Sequence, residues 1–259
     1  MLSSSSLGEA HVVIPARWSS TRLPGKPLID IGGLPMVVRV IESASRALPG
    51  VEVIVATDDA RILDAVVDWG GVAELTRSDC ESGTDRVAEV AERRGWGTDD
   101  LVINLQGDEP LLPRALLAAF HRFCAGEDAL EMATISVPVI DSGELSDPNV
   151  VKVVRRQDGS AIYFSRAALP VDRDAPLQSW SLSRYRRHIG IYAYRHSILR
   201  LVTQSPPCEI ETAERLEQLR ALWLGVKIDV LDWDQPPPPG VDTPRDVEAA
   251  RRAFAEGVS

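Results

Sequence analysis

The chain has 259 residues and a formal charge of −10, because 38 Asp and Glu residues outnumber 28 Lys and Arg residues. This acidic balance argues against indiscriminate binding to nucleic acid or to an anionic membrane. No apolar run approaches the ~20 residues of a membrane helix, and the first residues lack the pattern of a secretion signal. We therefore expect a cytoplasmic protein, in which three widely spaced cysteines are ordinary buried thiols.

The first half of the chain alternates short β-branched segments with longer amphipathic ones. We predict strands at 11–14, 51–56, 72–75 and 101–105. We predict helices at 36–47, 60–69, 84–93 and 113–123. Strands separated by helical crossovers indicate a parallel α/β sheet, whose ligands usually bind beyond the carboxyl ends of the strands.

The second half predicts a different arrangement. Strands are expected at 132–137, 150–155, 161–165, 189–194 and 227–231, and a helix at 210–224. The Asp158-Gly159 pair between two apolar runs is typical of a hairpin. Thr243 and Pro244 suit the start of a last helix. We interpret the chain as a single α/β domain with a core at 1–130 and 205–259 and an inserted antiparallel lobe at 131–204.

A long loop without acids follows the first predicted strand. It carries three cations, Arg17, Arg22 and Lys26, together with hydroxyl side chains and a glycine. Arginine offers paired hydrogen bonds to phosphate oxygens, and lysine offers a mobile charge. Neither the P-loop nor the dinucleotide-binding glycine pattern is present. The loop is either a polyphosphate cradle or a solvated basic loop.

Two acids are candidates for metal binding. Asp108 follows the strand at 101–105, next to Gly107, at the end of the strand where ligands bind. Asp242 lies just before the last predicted helix. Magnesium sites commonly use one or two carboxylates and leave the remaining positions to substrate phosphates. Asp108 alone is equally compatible with an ordinary turn, and Asp242 alone fits a turn better than a metal site.

Two further segments combine polar groups in a suggestive way. Residues 82–84, Ser-Gly-Thr, could recognise a base edge, although helix capping explains the same residues. A period of two places His188, Gly190, Tyr192 and Tyr194 on one face of a strand. With Arg166 and residues 217–218, Glu-Gln, that face would suit a ligand rich in hydroxyls and bearing a carboxylate. The alternative is a half-exposed sheet face with ordinary surface charge.

Taken together, seven motifs in order resemble the 3-deoxy-manno-octulosonate (Kdo) cytidylyltransferase family, also called CMP-Kdo synthetases. The matching segments are 14–28, 76–86, 106–110, 163–166, 187–192, 216–220 and 240–244. The resemblance implies a nucleotide-diphospho-sugar transferase-like (Rossmann-like) fold with a mainly parallel sheet flanked by helices. It also implies Mg²⁺-dependent transfer of CMP from CTP to Kdo for lipopolysaccharide biosynthesis, by a homodimer.

Carried over position by position, the resemblance implies a role for each matching residue. Nucleotide binding falls to Ala16, Arg17, Arg22, Lys26, Arg77, Ser82, Gly83, Thr84 and Gln106. The sugar acid would be bound by Arg166, His188, Tyr192, Glu217 and Gln218. Asp108 and Asp242 would bind the metal and, with Arg17 and Lys26, would be catalytic. The lobe at 131–204 would serve sugar binding and dimerisation.

Two alternatives remain open at this stage. One is a cytidylyltransferase for another acidic sugar, such as sialic acid or an 8-amino analogue of Kdo. The other is a catalytically silent nucleotide-binding protein with the same fold. The presence of Lys26, Asp108 and Asp242 argues against lost chemistry, and the segment at 187–192 favours Kdo among the acidic sugars.

Overall fold

The computed structural model describes residues 8–19, 23–127 and 129–257. The strands are β1 (Ala10–Ala16), β2 (Asp30–Ile31), β3 (Leu34–Pro35), β4 (Glu52–Thr57), β5 (Val72–Leu75), β6 (Leu101–Asn104), β7 (Met132–Pro138), β8 (Lys152–Arg155), β9 (Ala161–Ser165), β10 (Arg186–Arg195) and β11 (Ile228–Asp232). The helices are α1 (Met36–Ala47), α2 (Ala60–Asp68), α3 (Gly83–Arg94), α4 (Arg114–Ala125), α5 (Ser142–Ser146), α6 (His196–Gln204), α7 (Glu209–Glu214), α8 (Gln218–Trp223) and α9 (Pro244–Ala255).

Within these residues one sheet contains nine strands, and its main path is β11-β7-β10-β6-β1-β4-β5. The neighbours β6, β1, β4 and β5 are parallel, as are β7 and β11. Strand β10 runs antiparallel between β6 and β7, and the β8–β9 hairpin pairs with its end. A separate two-stranded sheet joins β2 to β3. The predicted fold class is confirmed.

Strand β1 is central because it is buried on both faces. Val12 and Ile14 pack with α1 and α4 on one side of the sheet, whereas Val13 packs with α3 on the other. Each of these three side chains is fully buried, as expected for a parallel strand with helices on both faces. The burial fixes the point at which the chain leaves the sheet and enters the loop that carries Arg17.

The predicted helix at 210–224 is wrong as a single element. The chain forms α7 and α8 instead, because Arg215 adopts a left-handed conformation with φ 51° and ends α7. Helix α6 was not predicted. The strands β7 and β10 lie within the central sheet, so the segment 131–204 continues that sheet on one side. The boundary between this segment, as an inserted lobe, and the core stays a prediction.

Several local predictions agree with the structure. The hairpin turn places Gly159 at φ 88°, and the Asp158 carboxylate accepts a hydrogen bond from the Ser160 N–H at 2.9 Å. Thr243 caps α9 reciprocally with Asp246. The three cysteines are buried and form no disulfide bond within the described residues. Across the described ranges, every helix is too short or too polar to traverse a lipid bilayer.

Candidate active site

A cavity of about 600 Å³ opens where β1 and β6 end and α3 begins. The residues that line it are Pro15, Ala16, Arg17, Ser19, Lys26, Pro27, Met36, Gly83, Arg86, Gln106, Gly107, Asp108 and Asp242. The structure thus brings seven of the predicted site residues to one cavity: Ala16, Arg17, Lys26, Gly83, Gln106, Asp108 and Asp242. Its volume falls in the range of small-molecule sites.

The most specific feature of the cavity is the position of Lys26 between two acids. Its Nζ donates to Asp108 Oδ2 at 2.6 Å and to Asp242 Oδ1 at 2.8 Å. Burial alone would lower the pKa of Lys26, but the two carboxylates outweigh burial and raise the pKa. The ammonium group therefore stays charged at neutral pH, and it joins residues that are far apart in the sequence.

Glycines allow the acid-bearing loops to meet. A Cβ at Gly107 would lie 3.0 Å from the Pro15 carbonyl oxygen, and one at Gly240 would lie 3.3 Å from the Asp108 carbonyl oxygen. That Asp108 carbonyl accepts a hydrogen bond from the Val241 N–H at 2.8 Å. The backbone before Asp242 is thereby fixed against the backbone of Asp108.

Glu109, next to Asp108, behaves differently from its neighbour. Burial, reinforced by the nearby Asp108 charge, raises the pKa of Glu109 to about 8, although Lys26 and Arg187 lower it in part. Glu109 is therefore mainly protonated at pH 7 and adds no second full negative charge beside Asp108. The assignment of Asp108 and Asp242 as metal ligands stays a prediction.

The start of α3 combines capping with access to the cavity. Ser82 Oγ accepts from the Asp85 N–H at 3.1 Å, and the Asp85 carboxylate accepts from the Ser82 N–H at 3.0 Å. Capping therefore accounts for Ser82. Gly83 lines the cavity, where a Cβ would lie 3.2 Å from Pro15 Cγ. Thr84 Oγ1 donates to Glu217 at 2.8 Å, which links α3 to the predicted sugar-binding residues.

Three predicted nucleotide ligands among the described residues, Arg77, Ser82 and Thr84, do not line this cavity. Arg77 and Ser82 line an adjacent cavity of about 660 Å³. The Arg77 guanidinium is exposed and lies 3.6 Å from both Asp79 and Glu89. Arg22 lies outside the described residues. The roles of Arg22, Arg77, Ser82 and Thr84 stay predictions, as do the roles of the residues that line the cavity.

Arg86 belongs to the cavity wall but was not predicted as a ligand. It is 2% exposed, and it donates to Asp58 Oδ2 at 2.7 Å and to Thr76 Oγ1 at 2.6 Å. It therefore ties the ends of β4 and β5 to α3. A signal was present in the sequence, because Arg86 lies three residues after Gly83 and so shares its helix face.

The predicted polar face of β10 is formed. The ring centroids of His188 and Tyr192 are 5.3 Å apart, and those of Tyr192 and Tyr194 are 6.0 Å apart. A bulge between Ile189 and Tyr192 shifts the register against β7, yet the two tyrosines keep to the same face. His188 Nε2 lies 3.0 Å from Thr134 Oγ1, which fixes the imidazole ring.

Asn104 connects this face to the cavity and was missed by sequence reasoning. Tyr192 lies opposite Asn104 in the β10–β6 ladder, and Gln106 Nε2 donates to Asn104 Oδ1 at 3.3 Å. Asn104 is 1% exposed. The buried amide therefore places the aromatic strand beside the cavity that contains Gln106.

Arg166 is held by backbone carbonyls. Its guanidinium donates to the carbonyl oxygens of Glu214 at 2.7 Å, Pro148 at 2.7 Å and Arg215 at 3.3 Å. Among the described residues, no carboxylate lies within ion-pair distance of this guanidinium. Gln218, three residues after Arg215, is 5% exposed. Among the described residues, its Nε2 has no hydrogen-bond partner. Both side chains retain donors for a ligand.

His188 makes a testable contribution to the pH dependence of stability. Burial lowers the pKa of His188 to about 3, from an ordinary value of 6.5. Between these values the unfolded chain binds a proton that the folded chain does not, so stability falls as the pH falls. We expect His188→Gln to remove up to about 1.4 kcal/mol per pH unit from the slope of the unfolding free energy between pH 6.5 and 5. Urea unfolding at several pH values measures the slopes, and equal slopes for both proteins would contradict the prediction.

Comparisons with known proteins identify the family of the chain. A cytidylyltransferase family profile matches residues 11–228. The 3-deoxy-manno-octulosonate cytidylyltransferase 2 of Paraburkholderia phytofirmans is 55% identical over 252 residues, which cover 97% of this chain and 96% of the relative. The 3-deoxy-manno-octulosonate cytidylyltransferase of Methylococcus capsulatus is 50% identical over 245 residues, covering 93% of this chain and 95% of that protein.

Solved structures give the same result. A CMP:2-keto-3-deoxy-manno-octonic acid synthetase complexed with CTP superposes with a TM-score of 0.87 at 43% identity, covering 96% of this chain and 99% of that one. A cytidylyltransferase from Leptospira borgpetersenii shares the fold, with a TM-score of 0.62 at 15% identity. That superposition covers 96% of this chain and 87% of the Leptospira chain. The chain belongs to the cytidylyltransferase family and, within it, to the 3-deoxy-manno-octulosonate cytidylyltransferases.

Proposed function

We propose that this chain transfers CMP from CTP to the anomeric hydroxyl of Kdo and releases pyrophosphate, with Mg²⁺, as a cytoplasmic homodimer that activates the sugar for lipopolysaccharide biosynthesis. The observation that carries the proposal is the convergence of Lys26, Asp108 and Asp242 on the wall of one cavity. An anionic triphosphate needs cations there, and a divalent ion needs carboxylates. Full-length relatives carrying this activity in their names support the same reaction.

The reaction requires positioning and charge stabilisation more than a protein nucleophile. The sugar hydroxyl attacks the α-phosphorus in line with the leaving pyrophosphate, and negative charge collects on the phosphoryl oxygens. Arg17 is exposed and lines the cavity, so its guanidinium would bind phosphate oxygens. Lys26 retains its charge at neutral pH and would offset charge on the leaving group. No residue of the chain needs to become covalently modified.

The donor set of the cavity fits magnesium. Asp108 and Asp242 already converge on one cationic atom, the Nζ of Lys26. In the described part of the chain, no group of three or more His, Cys, Asp and Glu side chains could hold a metal. Two carboxylates nevertheless suffice when substrate phosphates complete the coordination. When bound, the ion would offset phosphate charge and favour ionisation of the attacking hydroxyl.

The β10 face has properties suited to a hydroxylated sugar acid. Because its pKa is near 3, His188 is neutral. Its Nε2 already contacts Thr134 Oγ1, so Nδ1 is the ring nitrogen that would meet a sugar hydroxyl. Burial raises the pKa of Tyr192 well above its usual value, so its phenol keeps its proton. Arg166, held by carbonyl oxygens, supplies positive charge for the sugar carboxylate.

A panel of acidic sugars distinguishes Kdo from the alternative substrates and from a catalytically silent protein. Pyrophosphate release is measured with CTP and Mg²⁺ for Kdo, its 8-amino analogue and sialic acid. We expect kcat/KM for Kdo to exceed that for sialic acid by more than about 10-fold, since buried polar groups reject ligands that leave them unpaired. A preference for another sugar would reassign the substrate, and CTP binding without turnover on any of them would indicate a silent protein.

A further inference from the structure

Glu214 joins the end of β9 to the corner between α7 and α8. Its Oε1 accepts a hydrogen bond from Ser165 Oγ at 2.6 Å, and its Oε2 accepts one from the Arg166 backbone N–H at 2.9 Å. The Glu214 backbone carbonyl accepts a third from Arg166 Nε at 2.7 Å. One residue therefore fixes both the backbone and the guanidinium of Arg166.

The interactions around Arg166 leave part of its guanidinium for a ligand. Arginine has five N–H donors, and three of them are taken by backbone carbonyls. The Arg166 carbonyl accepts from the buried Lys152 Nζ at 2.7 Å, which adds a further restraint on the same residue. One N–H on each terminal nitrogen remains available to an anion such as a carboxylate.

Glu214 also lies directly before the corner between α7 and α8. Arg215, directly after Glu214, has the left-handed conformation that ends α7. Glu217 and Gln218 follow two and three residues later, and Glu217 accepts a hydrogen bond from Thr84 Oγ1. The contacts of Glu214 therefore fix Arg166 relative to the residues that start α8.

We propose that Glu214 is a positioning residue of the acidic-sugar site, acting through Arg166. It holds the guanidinium and the Arg215 corner in one arrangement before the substrate arrives, so that binding need not order them. Ser165 completes this connection, because its hydroxyl also accepts a hydrogen bond from the Ala167 N–H at 3.0 Å. The inference rests on the proposed function, in which Arg166 meets the sugar carboxylate.

Steady-state kinetics of Glu214 variants test the inference. We expect Glu214→Ala to raise KM for Kdo about 10-fold or more, with KM for CTP changed less than about 2-fold because the triphosphate cavity is formed by other elements. Glu214→Gln should be intermediate, since its amide oxygen can accept from Arg166 and its amide N–H can donate to Ser165. Glu209→Gln, an exposed change on the same helix, serves as the matched control with unchanged constants.

A double-variant cycle distinguishes positioning from general destabilisation. If Glu214 acts through Arg166, adding Glu214→Ala to Arg166→Ala should raise KM for Kdo by less than about 2-fold further. Fully multiplicative effects, or an unchanged KM for Kdo in both Glu214 variants, would overturn the inference. Wild-type turnover is measured first. If the wild type shows no turnover with Kdo, the proposed function and the inference are both overturned. If the wild type is active and the Glu214 variants keep the wild-type KM for Kdo, the inference alone is overturned.

Discussion

Replacing Lys26 by alanine should lower kcat about 10²- to 10³-fold, the usual loss when one preorganised charge stabiliser is removed. The Nζ of Lys26 lies within 2.8 Å of both Asp108 and Asp242 and faces the cavity. The variant should still fold, because the two carboxylates are 34% and 45% exposed and water can solvate them. Pyrophosphate release under saturating CTP and Kdo measures the effect, and circular dichroism checks the fold.

The chain offers a matched control for this change. Lys227 forms an ion pair with Asp229 at 2.7 Å, and its side chain is 49% exposed. It lies just before β11, at the end of the strand opposite the ligand-binding edge of the sheet. Lys227→Ala should leave kcat within about 2-fold, as expected for an exposed pair. Near-normal turnover in Lys26→Ala would remove Lys26 from the catalytic group, and an equal loss in both variants would show that the effect is not specific to the cavity.

Replacing Asp108 by asparagine should abolish most Mg²⁺-dependent turnover, with a loss of at least about 10²-fold. The change keeps the size of the side chain and an oxygen that can accept from Lys26, but it removes the charge that a divalent ion requires. Asp242→Asn should act in the same direction, since both carboxylates converge on one point. Initial rates across a series of Mg²⁺ concentrations separate weaker metal binding from slower chemistry.

An exposed acid serves as the control for the asparagine variants. Asp68 lies at the end of α2 and is exposed, and Asp68→Asn should preserve both the rate and its Mg²⁺ dependence. An unchanged Mg²⁺ profile in Asp108→Asn would exclude Asp108 from the metal site. If the profile changed only in Asp242→Asn, the metal would be held by Asp242 with substrate phosphates alone.

Much of the fold follows from local patterns. Helix α1 and strand β5 occupy the residues predicted for them; for α1 the reason is a clear apolar period along the helix. The nucleotide cavity is also predictable in outline, since Arg17 and Asp108 both follow parallel strands and the carboxyl ends of such strands lie at one edge. The corner at Arg215 was not predictable, because arginine has no intrinsic preference for a left-handed conformation.

The detailed site depends on contacts between distant segments. Asp242 reaches Lys26 from 216 positions away, and it does so because Val241 hydrogen-bonds to the Asp108 backbone, a contact invisible in the local sequence. Asn104 gains its role only because β10 inserts antiparallel beside β6. Period-two alternation did place His188 and Tyr192 on one face, since that property is local to a strand.

In the proposed function, the cavity around Lys26 is the place where CMP is transferred from CTP to Kdo and pyrophosphate leaves. Pyrophosphate release by the purified wild-type protein, with CTP, Mg²⁺ and Kdo, tests this most directly when UTP replaces CTP in a parallel reaction. We expect rapid release that requires Kdo and Mg²⁺, with UTP a much poorer substrate. No release with CTP and Kdo, or equal release when Kdo is omitted, would contradict the claim.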